Sequence, residues 1–276
     1  MRFRTGIRPF GIAVSLGAVA LAVAIWAAVS GRVGNDAEPT RAAPAGTTSA
    51  APGLPDPVDP AFVPPAPRPL SGLDTVSWWS PVSRSTVARA RPEQSAPVVA
   101  RLSTRTPEGT RNLVLVLDRR RAADGTLWVR ARLPILGSER AGWVPRSALG
   151  GYGAVSTHLL VDLEKLTATL YRKGKRVFEA RVGVGRPEYP TPTGEFYIRN
   201  KLTRYANPFY GPVAFGTSAR SPTLTDWPAG GFVGIHGTNR PDLLPGRISH
   251  GCIRLRNDDI LALERLMPVG TPLTIV

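Results

Sequence analysis

The sequence is short of thiol and imidazole. It has one cysteine, Cys252, and three histidines, His158, His236 and His250, in 276 residues. A lone cysteine forms no internal disulfide, so no disulfide framework staples this fold. An odd cysteine outside the cytoplasm reads as a reactive thiol or an intermolecular bridge, and elsewhere as a small buried hydrophobe. Composition alone leaves these readings open. Acidic residues are also scarce: 20 Asp and Glu face 35 Lys and Arg, a net charge of +15. Such a charge attracts anionic polymers and membrane surfaces without specificity. Zinc-finger spacing and a recognition-helix pattern are both missing, so nucleic acid is not an expected partner. The sequence shows no internal repeat.

What is present begins with Arg2, Arg4 and Arg8, followed by an uncharged, Ala-, Val- and Leu-rich stretch from Pro9 to Gly31. This pattern predicts a signal or anchor segment over residues 1–31. The stretch is long enough for the ~30 Å of a bilayer core, which favours an anchor, and Ala28–Ser30 would serve if the segment is cut. The basic flank keeps that end cytoplasmic and sends the remainder outside. Residues 32–72 are rich in Pro and Ala and poor in large apolar residues. They read as a disordered spacer that cannot offset its own ordering entropy.

Residues 73–150 and 151–276 predict two β-rich domains, with one short helix late in the second. The first carries short β-type runs, "PVVARL", "RNLVLVLD", "TLWVRARLP" and "AGWVP", between turn residues. That spacing suggests a small barrel. In "TLWVRARLP" Leu127, Val129 and Ala131 are expected on one face, with Trp128, Arg130 and Arg132 on the other. The segments "ARARPEQSAPVVARL", "WVRARL" and "GWVPRSAL" resemble a bacterial SH3-like domain, which in that family binds wall peptides or positions an enzyme. Trp128 and Trp143 are read as packing residues, with a binding groove as the alternative. In the second domain Lys173-Gly174 should turn a hairpin. Asn257 is expected to cap a helix that ends before Pro268.

Two of the three histidines lie within sixteen residues of the thiol, in "HGTNRPDLLPGRISHGCIRLRN" (236–257). An imidazole near a thiol takes its proton or steadies its anion. His236 ends a predicted strand, and the loop after it can return the chain so that two strand ends meet. Gly251 lets backbone amides approach a substrate oxygen. A zinc site built on His, His and Cys would lack a fourth residue of its kind, so no metal is expected.

"IHGT" (235–238) followed by "SHGCIRL" (249–255) resembles the signature of the L,D-transpeptidase family with a YkuD-type catalytic domain. "YPTPTGEF" (189–196) and "NPFYGPVAFG" (207–216) resemble its upstream parts. The resemblance covers about residues 156–276. It implies a β-rich fold, no cofactor, and a cysteine acting on peptidoglycan stem peptides through an acyl-enzyme. It places Cys252 as nucleophile and His236 as base. His250 and Gly251 would line the site, with backbone groups near Gly251 and Cys252 holding the oxyanion and Ser249 and Arg254 on the substrate side. Many members carry asparagine near the position of Arg254. An L,D-carboxypeptidase using the same site and a non-catalytic wall-binding protein are the alternatives. His158 lies outside the motif and is read as structural or solvated. The expected partners are stem peptides, anionic wall polymers, and a membrane through the N-terminal segment; the expected location is extracytoplasmic.

Overall fold

A computed structural model of the chain describes residues 76–137, 140–203, 207–221, 223 and 231–276. The predicted anchor (1–31) and spacer (32–72) lie outside the described residues. All described residues fall in one compact unit.

The first sheet has seven strands: β1 (Ser77–Pro81), β2 (Thr86–Arg89), β3 (Val98–Leu102), β4 (Leu113–Arg121), β5 (Leu127–Arg132), β6 (Ala141–Pro145) and β7 (Gly153–Val155). Their order is β3-β2-β6-β5-β4-β1-β7, antiparallel throughout. Pairing of β7 with β1 carries this sheet beyond residue 150, to Val155. Its core gathers Val82, Leu102, Val114, Val129 and Val144.

The second sheet contains β8 (Thr157–Asp162), β9 (Thr167–Arg172), β10 (Lys175–Arg181), β11 (Gly183–Gly185), β12 (Gly194–Leu202), β13 (Ala214–Arg220), β14 (Phe232–His236), β15 (Gly246–Ser249), β16 (Ile253–Arg254) and β17 (Pro272–Ile275). Their order is β10-β9-β8-β17-β12-β13-β14-β16-β11-β15. Lys173 and Gly174, at φ 50° and 73°, turn the β9–β10 hairpin as expected; two positive φ angles suit the twist of such a turn. The first half of β12 pairs with β17 and its second half with β13, so one strand joins the two halves of the sheet. Between them lies the main core, including Leu159, Leu170, Phe196, Phe215, Ile235 and Ile253.

The one α-helix among the described residues is α1 (Asn257–Leu266), which buries Ile260 and Leu263. Its N-cap is Arg256 and not Asn257. The Asn257 side chain is engaged elsewhere, accepting the Thr238 N–H at 3.0 Å. Asp258 and Asp259 do occupy the first turn, where their charge opposes the helix dipole. No helix among the described residues is long and apolar enough to cross a membrane.

The expected alternation along β5 holds for only part of the strand. Trp128 is fully buried and Arg132 is buried as well, so both faces are covered. Burial at Trp128 agrees with a packing role. The cause at Arg132 is a seam between the sheets: its Nη1 donates to Glu195 O at 3.0 Å. Leu113 and Leu115 of β4 form a cluster with Tyr197 of β12, and Trp79 packs against it. The Tyr197 hydroxyl donates to Leu113 O at 3.0 Å. Burial pushes its pKa upward, so it remains a donor.

A bulge in β12 at Ile198–Asn200 turns consecutive polar side chains toward the seam. The Arg199 guanidinium meets Glu108 with two hydrogen bonds of 3.0 and 2.7 Å, and Asn200 donates to the same carboxylate at 3.0 Å. Both charged side chains are at most 4% exposed. A buried ion is costly when its counter-ion is removed, by about 3–5 kcal/mol. Glu108→Ala is therefore expected to lower the melting temperature sharply. Glu108→Leu combined with Arg199→Met should recover most of the loss, because apolar groups of similar size need no counter-ion. A Glu108→Ala protein that melts at the parent temperature would remove the pair from the account of the seam.

Candidate active site

The strands bring the predicted site residues to one end of the second sheet. β14 and β16 run parallel, with Ile235 opposite Ile253 and His236 opposite Arg254. β11 pairs with both β15 and β16. The turn from Ser249 to Cys252 is thus framed on both sides by strands. The Leu255 N–H donates to His236 O at 2.9 Å, which ties the strand carrying the histidine to the chain just past the thiol.

Cys252 is 5% exposed and sits immediately before β16. The Gly234 N–H points at its sulfur, with N···Sγ 3.4 Å. A backbone donor directed at sulfur favours the anion over the thiol.

His236 is fully buried. Its Nδ1 lies 2.6 Å from Gly237 O. A carbonyl only accepts, so Nδ1 carries the proton and Nε2 is the basic nitrogen of this tautomer. The Tyr210 ring stands edge-on at 4.8 Å, and Phe209 lies 6.3 Å away. Burial lowers the His236 pKa to about 3; the hydrogen bond to Gly237 opposes this shift and the Arg254 charge reinforces it. The imidazole is therefore neutral in the resting state.

His250 has a different setting. Its Nε2 meets Arg186 Nη2, and the Tyr189 ring stacks against it at 4.5 Å. Guanidinium has donors and no acceptor, so Nε2 of His250 must accept and its ring proton sits on Nδ1. The nitrogen that would serve as a base is already occupied. Of the two histidines in the motif, His236 is the one whose geometry suits proton transfer.

Ser249 and Gly251 also take clearer roles. Ser249 Oγ donates to Cys252 O at 2.6 Å and accepts the Gly251 N–H at 3.1 Å. With its hydroxyl engaged inside the turn and the residue 1% exposed, Ser249 organises the loop. The Gly251 N–H is engaged by Ser249 inside the turn. What position 251 requires is backbone freedom: its φ is 115°, while a Cβ there would meet nothing closer than 3.6 Å. Such a φ favours glycine. Arg254 is buried, with its guanidinium 4.5 Å above the Phe209 ring.

Several residues of the site were not singled out from sequence. Thr191 accepts the Gly185 N–H and donates to Gly251 O, both at 2.9 Å, clamping the loop before the thiol. Arg186 fixes the His250 tautomer, and the Arg186 N–H donates to Ser249 O at 3.0 Å. Phe209 and Tyr210 form the aromatic wall around His236 on a turn held by Asn207, whose Oδ1 accepts from Phe209 N. All but Arg186 lie in "YPTPTGEF" and "NPFYGPVAFG", which pointed to the family resemblance without disclosing roles. His158 is buried in β8, where its Nε2 meets Thr274 Oγ1 at 2.7 Å, a structural contact. Among the described residues, no three His, Cys, Asp or Glu side chains converge as a metal site would need.

Residues 156–275 match the family described as YkuD, L,D-transpeptidase catalytic domain. The chain is 34% identical over 118 residues to a putative L,D-transpeptidase YkuD of Bacillus subtilis, covering 43% of this chain and 65% of that protein. It is 31% identical over 140 residues to a probable L,D-transpeptidase ErfK/SrfK of Salmonella typhimurium, 43% of each chain. A solved structure, the catalytic domain from an E. faecium L,D-transpeptidase, is 31% identical and covers 44% of this chain and 96% of that one, with a TM-score of 0.34. The chain thus spans less than two thirds of the length of the curated relatives it matches. Residues 156–275 are thus similar to the catalytic domain of YkuD-type L,D-transpeptidases.

Proposed function

We propose that the protein cross-links peptidoglycan stem peptides through a thioester on Cys252. The observation that carries this reading is the His236 tautomer: a buried imidazole held by Gly237 O, with Nε2 as its basic nitrogen, on the strand paired beside the thiol. In the first half-reaction Sγ attacks the carbonyl that precedes the terminal D-alanine of a donor stem. His236 Nε2 takes the thiol proton and passes it to the departing amine as the carbon–nitrogen bond breaks. Burial makes the imidazole a reluctant holder of that proton, which favours handing it on. In the second half-reaction an amine of another stem attacks the thioester. Its proton returns through His236 to the leaving sulfur, and a peptide bond closes the cross-link.

The N-terminal segment and spacer would hold the enzyme outside the cytoplasm, and the net charge of +15 suits a mesh of anionic wall polymers. The first sheet would act as an SH3-like module that seats the catalytic domain on its polymer.

The full chain incubated with a tetrapeptide-bearing muropeptide, with products weighed by mass spectrometry, tests the reading. A dimer lacking one D-alanine is the expected product. A monomer lacking D-alanine would make the protein a carboxypeptidase. Unchanged muropeptide would leave a wall-binding protein.

A further inference from the structure

A second feature lies at the seam, away from the thiol. A cavity of about 270 Å³ opens between the loop after β3 and the β13–β14 edge. Its wall includes Arg101, Arg105, Arg199, Arg220 and Phe232, and no acidic side chain among the described residues that line it. Arg199 is already neutralised by Glu108. The other three guanidiniums take part in none of the ion pairs formed among the described residues. Arg105 donates to a backbone carbonyl, Gly109 O, at 2.8 Å.

Arg220 is the most organised of them. Its guanidinium lies 4.6 Å from the centre of the Phe232 ring, and its Nε is buried without a hydrogen-bond partner. Arg199 packs on the same ring at 3.9 Å. Two like charges on one ring, with one counter-ion between them, leave a standing demand for an anion. The cavity is smaller than the ~300–1,000 Å³ of sites that enclose a drug-sized ligand. It suits one small acidic group of a larger molecule.

Its position indicates which molecule. Arg220 precedes Ser221, whose Cβ lies 4.0 Å from where a Cβ on Gly251 would stand, next to the nucleophile. Phe232 is two residues before Gly234, the donor to Cys252 Sγ, or about 7 Å along an extended strand. A chain bound at Cys252 therefore reaches the cavity within a few residues.

We propose that this cavity binds a carboxylate of the peptide stem whose carbonyl Cys252 attacks, with Arg220 as its principal contact; the proposal rests on the transpeptidase reading above. Guanidinium forks match carboxylates in two-point contact, and such charge-assisted bonds are the strong ones. Because Arg101 lies in β3 and Arg105 in the loop after it, the first sheet would then contribute to substrate recognition directly.

The test uses the full chain carrying Cys252→Ala, so that binding is read without turnover. Calorimetric titration compares two tetrapeptide stems, one with internal carboxyl groups free and one with them amidated. Arg220→Gln is expected to weaken the free-acid stem about tenfold or more and to leave the amidated stem unchanged. Arg105→Gln should show the same discrimination at smaller size, which guards against a folding defect confined to position 220. Equal losses on both stems, or none, would overturn the proposal. So would a glycerol-phosphate polymer that binds more tightly than the free-acid stem through the same arginines. If acid-over-amide discrimination persists but the Cys252 enzyme makes no cross-link or cleavage product, the catalytic reading fails and the site stands.

Discussion

Cys252→Ala is expected to lose donor-stem cleavage by a factor on the order of 10⁵–10⁶, as removal of a nucleophile does in enzymes whose residues act as a unit. No covalent adduct should form with a stem peptide, nor with a carbapenem, as the family resemblance implies. The fold should survive. The side chain is small, and the alanine forfeits one N–H···S contact from Gly234, about 1 kcal/mol. Cys252→Ser should be nearly as inactive, since a hydroxyl needs a stronger base than a thiol, and burial has made His236 a weak one. The measurement is a single-turnover mass assay beside a thermal melt. Appreciable turnover by the alanine protein would end the nucleophile assignment, and a collapsed melt would reassign the residue to the core.

The second large effect is on stability. The unfolded chain protonates His236 near pH 6.5, whereas the folded chain resists until about pH 3. The stability supplied by this difference is fully present above pH 6.5. It is lost as pH falls through that value toward 3, at about 1.4 kcal/mol for each unit, to a total of about 5 kcal/mol. His158, also lowered by burial, adds in the same direction. Urea denaturation at pH 7.5, 5.5 and 4 should show the midpoint falling across this window, and His236→Gln should flatten much of the slope. A midpoint that does not move between pH 7.5 and 4, or a slope untouched by that substitution, would contradict a buried neutral imidazole. The same neutrality predicts that the acid limb of kcat/KM lies well below pH 6.5.

The sequence was most legible where chemistry is local. A lone thiol and two nearby histidines pointed to Cys252 and His236, and the Lys173-Gly174 turn was readable because two positive φ angles demand special residues. Roles within the site were less legible. The family resemblance separates His236 from His250 without giving a physical reason; in the structure a carbonyl of the next residue holds one and a guanidinium just past β11 holds the other. Asn257 reads as a helix cap by propensity, but tertiary contact with the Thr238 amide outweighed that preference. The seam was invisible for the same reason. Tyr197, Arg199 and Asn200 form an ordinary strand stretch until the bulge in β12 and a glutamate about 90 residues away give them one environment.

β17 has a consequence for how the protein is made. It lies between β8 and β12, in the interior of the second sheet, though it follows every other described strand in the chain. While the chain emerges from a ribosome or a translocation pore, β8 and β12 have no partner to join them, and the sheet that frames the thiol stays open. Cys252 and His236 are both synthesised before the strand that closes their scaffold. The sheet around Cys252 and His236 is therefore complete only once residues 272–275 have been made.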